Sequence, residues 1–173
     1  MTQQLPQSKK DVLIYFDLIT SLKTTQEVAN FVGEIDILLP LIKSEKIAIE
    51  KALESISVDS ARKIMQVFSK YKLDVKDRAV VTGFFEILKG LVKKFKVIKL
   101  VLAFDPTRKT IEKIHNFIKN TLGVGYILDI EVSGEILGGA IVIFNGRYSD
   151  FTVKKMIEDT FVNNQSVINQ LID

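Results

Sequence analysis

The chain has no cysteine, one histidine and three prolines in 173 residues. The missing cysteines exclude a disulfide framework, a thiolate metal site and a thiol nucleophile. The lone His115 excludes a multi-histidine metal centre. No uncharged apolar run approaches the ~18–20 residues needed to cross a bilayer. The longest, such as Ile37-Leu38-Leu39-Pro40-Leu41-Ile42, are a few residues long. Met1 to Pro6 lack the apolar core and cleavage site of a secretory signal. Few prolines and nine glycines are not the composition of a collagen or a linker. These absences lead us to expect an intracellular, soluble protein without a cofactor.

What is present is an ordinary globular composition, 47% hydrophobic and 26% charged, with a net charge of +3. That length suits one ordinary domain or two small ones. Residues 1–105 hold 17 Lys/Arg against 13 Asp/Glu, and residues 106–173 hold 7 against 8. The excess is densest at Lys89, Lys93, Lys94, Lys96 and Lys99, interleaved with Leu91, Val92, Phe95, Val97 and Ile98. It reads as the solvated side of a buried segment. No recognition module accompanies it, so nucleic acid is not an expected partner.

The periodicity divides the chain near residue 95. Ser8 is a candidate cap for a helix to about Leu22, with Val12, Tyr15, Phe16, Ile19 and Leu22 on one face. Thr24 and Glu27 form a second capping box before Val28, Phe31, Val32, Ile35, Leu38, Leu39 and Ile42. Pro40 is expected to break or kink this helix, and a third to run from there to about Glu54. Ser57 opens a fourth, with Ala61, Ile64, Met65, Phe68 and Tyr71 inward. A fifth spans about Asp77 to Phe95, with Val80, Val81, Phe84, Ile87, Leu88, Leu91 and Val92 apolar.

From Val97 the pattern becomes β-branched and short, a strand through Phe104. Asp105-Pro106 reads as the cap and first turn of a helix with Ile111, Ile114, Ile118 and Leu122 on one face, ended by Gly123. Tyr126 to Val132 alternates as a strand. Gly138-Gly139 leads into Ala140 to Phe144, and Asn145-Gly146 is a strong hairpin signal before a return strand, Arg147 to Ser149. Asp150 is the expected cap of a last helix carrying Val153, Ile157 and Phe161. The predicted class is α+β: a helical bundle over 8–95, a small α/β unit with a β-hairpin over 96–161, and a tail or helix extension over 162–173.

No constellation for chemistry emerges. His115 has no nucleophile or ligand partner at a recognisable spacing and reads as a boundary residue on an amphipathic helix. Asp129 and Glu131 share a strand face, where a carboxylate pair could exchange protons, but they read as its solvent side. Gly138-Gly139 is not part of a phosphate loop. A glycine pair entering a strand marks a bulge, a turn or close backbone packing. The expectation is a protein that is not an enzyme and works through its surfaces. Val12, Leu13, Tyr15, Phe16, Leu18 and Ile19 cover more than half of the first helix, as either a partner patch or a face buried on two sides.

The stretch Val132 to Ile143, followed by Asn145 to Val153, resembles the signature of the F-type ATP synthase delta subunit family, which includes the oligomycin-sensitivity-conferring protein. Val132, Ile136, Leu137, Gly138, Gly139, Asp150 and Val153 match it, and Thr152 stands where serine is usual. Gly134 replaces the usual proline, and the family's six N-terminal helices exceed the five legible here. A vacuolar-type stalk E subunit has a similar glycine pair, but its long charged first helix is unlike residues 1–50.

The resemblance implies a stator connector without catalysis or cofactor, peripheral to an energy-transducing membrane on its cytoplasmic, matrix or stromal face. It would touch the membrane only through its complex. It implies two partners. The N-terminal helix of an alpha subunit would lie in a groove formed by exposed Tyr15, Phe16 and Ile19 with Phe84, Leu88 and Leu91. The C-terminal end of a b subunit would meet Ile141, Ile143, Val153 and Ile157. Gly138, Gly139, Asp150 and Thr152 would carry the family motif. A delta-like adaptor of another rotary-ATPase-derived assembly is the alternative.

Overall fold

A computed structural model of the protein describes residues 9–44 and 46–163, with side chains from Leu13 onward. The elements are α1 (Lys9–Ile19), α2 (Thr25–Lys43), α3 (Ile49–Leu53), α4 (Val58–Tyr71), α5 (Arg78–Val92), β1 (Lys96–Leu102), α6 (Arg108–Leu122), β2 (Tyr126–Val132), β3 (Gly139–Phe144), β4 (Arg147–Thr152) and α7 (Val153–Asn163). Helices thus precede a C-terminal four-stranded mixed sheet, the expected α+β class.

Local signals place most helix starts. At α2 the Thr24 hydroxyl accepts from the Glu27 amide at 3.1 Å, and Glu27 accepts from the Thr24 and Lys23 amides, a complete capping box. Ser57 accepts from the Ser60 amide at the start of α4. Asp77 accepts from the Ala79 and Val80 amides at α5. The expected Ser8 cap lies outside the described residues.

Several boundaries differ from expectation. α1 stops at Ile19, three residues before Leu22. α2 runs through Pro40 to Lys43. Pro40 is exposed, so water can reach the Asp36 carbonyl it leaves unserved, while Leu38 and Ile42, both fully buried, hold the last turn. The third helix is consequently short, only Ile49–Leu53. Met65 and Val80 are exposed, and Val67 takes the inward place on α4. The α6 cap is Thr107, which accepts from the Thr110 amide, so Asp105-Pro106 belongs to the preceding loop.

The buried residues form two clusters. One gathers Tyr15, Leu18, Phe31, Ile35, Leu38, Ile64, Phe68, Val81, Phe85 and Leu88 from α1, α2, α4 and α5. The other lies between α6 and the sheet, with Ile98, Leu100, Leu102, Leu128 and Ile118 at its centre. The sheet order is β2-β1-β3-β4, parallel for β1–β2 and antiparallel elsewhere. α6 is the crossover that a parallel pair requires.

Asn145 and Gly146 form the two-residue turn between β3 and β4, with φ of +49° and +73°. Both φ values are positive, as a type I′ turn demands. β4 continues to Thr152, three residues past the expected return strand. A Cβ on Gly146 meets no atom within 4 Å. Gly146→Ala should therefore cost only backbone strain, ~1 kcal/mol in chemical denaturation. A much larger loss would mean that the turn is packed.

Candidate partner-binding surfaces

The predicted groove between α1 and α5 is closed. Tyr15 stacks on Phe84 with ring centroids 5.1 Å apart, and Phe84 meets Phe68 and Phe85 edge-on at 5.0 and 5.3 Å. Tyr15, Phe84 and Leu88 are buried, contrary to the exposure expected of them. Phe16, Ile19 and Leu91 are half-buried, and the Lys119 ammonium lies 6.0 Å from the Phe16 ring centroid. The reason is geometric. Phe84 and Leu88 are one turn apart on the α5 face that meets α1, so a face apolar enough to bind a foreign helix closes on its own neighbour.

The motif residues converge on one joint. The Gly138 carbonyl accepts from the Val153 amide at 3.0 Å, and Gly139 pairs with Thr152 across the hairpin. Gly139 has φ of +89°, and a Cβ there would sit 2.2 Å from the Phe151 carbonyl oxygen. A Cβ on Gly138 would sit 2.9 Å from a Val153 methyl. The Asp150 carboxylate accepts from the Thr152 amide at 2.8 Å, which holds its pKa below the usual range. The buried Thr152 hydroxyl then accepts from the Lys155 amide at 3.2 Å. Thr152, not Asp150, therefore supplies the first contact of α7, because β4 runs three residues further than expected and Asp150 still lies in it.

α7 leaves this joint with none of its residues buried. Val153, Met156, Ile157, Phe161 and Val162 are all exposed, Phe161 at 61%. On the sheet, Ile141 and Ile143 pair opposite Val101 and Lys99, on the face turned from α6, and both are half-buried. Of the predicted tail, Val162 and Asn163 belong to α7, and the rest lies outside the described residues.

A third cluster joins the helices to the sheet. The Lys23 carbonyl accepts from the Leu128 amide at 2.8 Å, and Thr24 forms a parallel bridge with Leu128. Lys23 pairs with Glu112 at 2.7 Å, which holds the Glu112 pKa down. Thr25 donates to the half-buried Asp129 at 3.1 Å, while exposed Glu131 pairs with Lys99. The α1–α2 connection thus caps the free edge of β2. His115 sits beside it, 6% exposed, its Nε2 3.2 Å from the Tyr126 carbonyl. It is more deeply buried than a boundary residue. No local spacing signals this cluster, because its members come from three separate stretches.

Burial pushes the His115 pKa below 6.5, aided by Lys23 and Lys119 and opposed by the Tyr126 carbonyl and Glu27. A base held down in the folded state is favoured neutral. The contribution is intact above the unfolded value of about 6.5 and is lost as pH falls from there toward the folded pKa. Urea unfolding at pH 7.5 and 5.5 should show wild type losing more stability on acidification than His115→Gln. Equal losses would refute this placement.

Among the described residues, no group of His, Cys, Asp and Glu could hold a metal, and no helix is long and apolar enough to cross a membrane. No protein-family model matches the chain, and no curated protein matches it significantly.

Proposed function

We propose that this protein is a non-catalytic peripheral-stalk connector of a rotary F-type ATP synthase, linking the catalytic alpha/beta hexamer to the b-subunit stalk. The observation that supports it most is the joint at Gly138, Gly139, Asp150 and Thr152. These four residues, which carry the resemblance in sequence, meet at one point and send out α7 with its apolar side chains unburied. Such a helix is marginal alone, since most helical stability in a protein comes from a packed apolar face. A stalk helix laid along Val153 and Ile157 would supply that face.

A stator must also resist twisting between its two attachment points. The Lys23–Leu128, Lys23–Glu112 and Thr25–Asp129 contacts tie the helices to the sheet edge at several points, which suits that duty. The alpha-subunit helix would then meet the half-buried side chains Phe16, Ile19 and Leu91 rather than an open groove.

That closed groove favours a second reading, a delta-like adaptor in another rotary-ATPase-derived assembly with a different first partner. Affinity purification from native membranes, with partners identified, separates the two. Recovery of alpha and b subunits supports the stator. Recovery of a different set of subunits supports the adaptor, and recovery of neither overturns both.

A further inference from the structure

The corner between α3 and α4 carries an apolar groove that the stator reading does not use. Leu53, Ile56, Ala61 and Met65 line it, and Val58 stands 74% exposed beside them. The cavity is about 450 Å³ and opens to solvent. Glu50 and Glu54 lie on α3 and its C-cap, and Arg62 on α4.

The two glutamates are unusual in their setting. Among the described side chains of residues 13–95, every other carboxylate is engaged. Asp17, Asp36, Asp59 and Glu86 pair with Lys70, Lys89, Lys63 and Lys43. Glu27, Glu34, Asp74 and Asp77 accept from backbone amides. Glu50 and Glu54 have neither kind of partner. They are four residues apart, a spacing at which like charges repel along a helix. A cation placed across both relieves that repulsion, and among the described residues no lysine or arginine pairs with either.

We infer that the α3–α4 groove binds an amphipathic helix of a partner protein, whose apolar stripe enters between Ile56 and Met65 and whose lysines or arginines face Glu50 and Glu54. An apolar floor with a charged rim is how helix-in-groove sites select their ligands. Met65 suits the floor, since an unbranched thioether adapts to several side-chain shapes. Arg62 adds a preference for an acidic residue on the opposite flank. This surface is separate from α7 and from the α1–α5 contact, so the inference does not rest on the stator reading.

The test uses the full chain with methyl-labelled methionines, because Met65 reports on this groove and Met156 on α7. Two synthetic helical peptides share one leucine stripe and differ in flanking lysines or glutamates. The lysine peptide should shift the Met65 methyl resonance saturably and leave Met156 in place. The glutamate peptide should bind about tenfold more weakly. Glu50→Lys with Glu54→Lys should reverse that order while circular dichroism stays unchanged. The inference is overturned by an unmoved Met65, by equal binding of the two peptides, by binding that moves Met156 alone, or by a Met65 shift that follows protein concentration without peptide. The last result would mean that a second copy fills the groove. None of these results bears on which subunits co-purify from membranes.

Discussion

Leu88→Asp should leave the chain without a cooperative thermal transition. Leu88 is fully buried on α5 among the aromatic residues that join α1, α4 and α5. The substitution removes a packed side chain and puts in its place a carboxylate with no cation or amide to receive it. Losing the leucine alone costs ~2–5 kcal/mol, and burying an unpaired polar group adds to that. Against a typical total of about 5–15 kcal/mol, the variant has little left. Phe16→Asp is the control. Phe16 is half-buried, so its cost should be ~1–2 kcal/mol, with native circular dichroism and a lowered midpoint. A Leu88→Asp protein that unfolds normally would mean that the inner face of α5 is an open groove after all.

The second large effect is expected at Gly139. Two requirements coincide there: φ of +89°, which L side chains seldom adopt, and a Phe151 carbonyl oxygen 2.2 Å from where a Cβ would stand. The obstacle is backbone, so no rotamer change relieves it, and β3 and β4 must separate. Gly139→Ala should cost ~3 kcal/mol or more, the sum of left-handed strain and overpacking. At Gly138 the obstacle is one methyl of the exposed Val153 rather than backbone, so Gly138→Ala should cost less, ~1–2 kcal/mol. Chemical denaturation of the three proteins ranks them. Amide exchange adds a spatial readout, since loss of protection in Gly139→Ala should centre on β4 and the start of α7. Equal costs at the two glycines would remove the steric account of the motif.

These effects mark where the sequence was readable. The Thr24–Glu27 capping box, the Ser57 opening of α4 and the Asn145-Gly146 turn all act over a few residues, and each is found where its pattern stands. Pro40 did not end α2 because its cost depends on exposure, which no local pattern carries. The cap expected of Asp150 moved to Thr152 for a related reason. Strand length is set by the partner strand, and β3 holds β4 through Thr152. The groove residues were legible as apolar but not as buried, since the same α5 face serves a partner helix or a neighbouring one.

Composition and short-range spacing by themselves determined the α+β order, the change of period near residue 95 and the Asn145-Gly146 turn. They could do so because caps, turns and amphipathic faces are properties of five to ten neighbouring residues. Only the tertiary structure decided that Tyr15 and Phe84 close on each other, that Lys23 to Thr25 cap the β2 edge, and that Glu50 and Glu54 stand without a cation. Each of these depends on which distant surfaces meet, and a surface is buried or free only in relation to what packs against it.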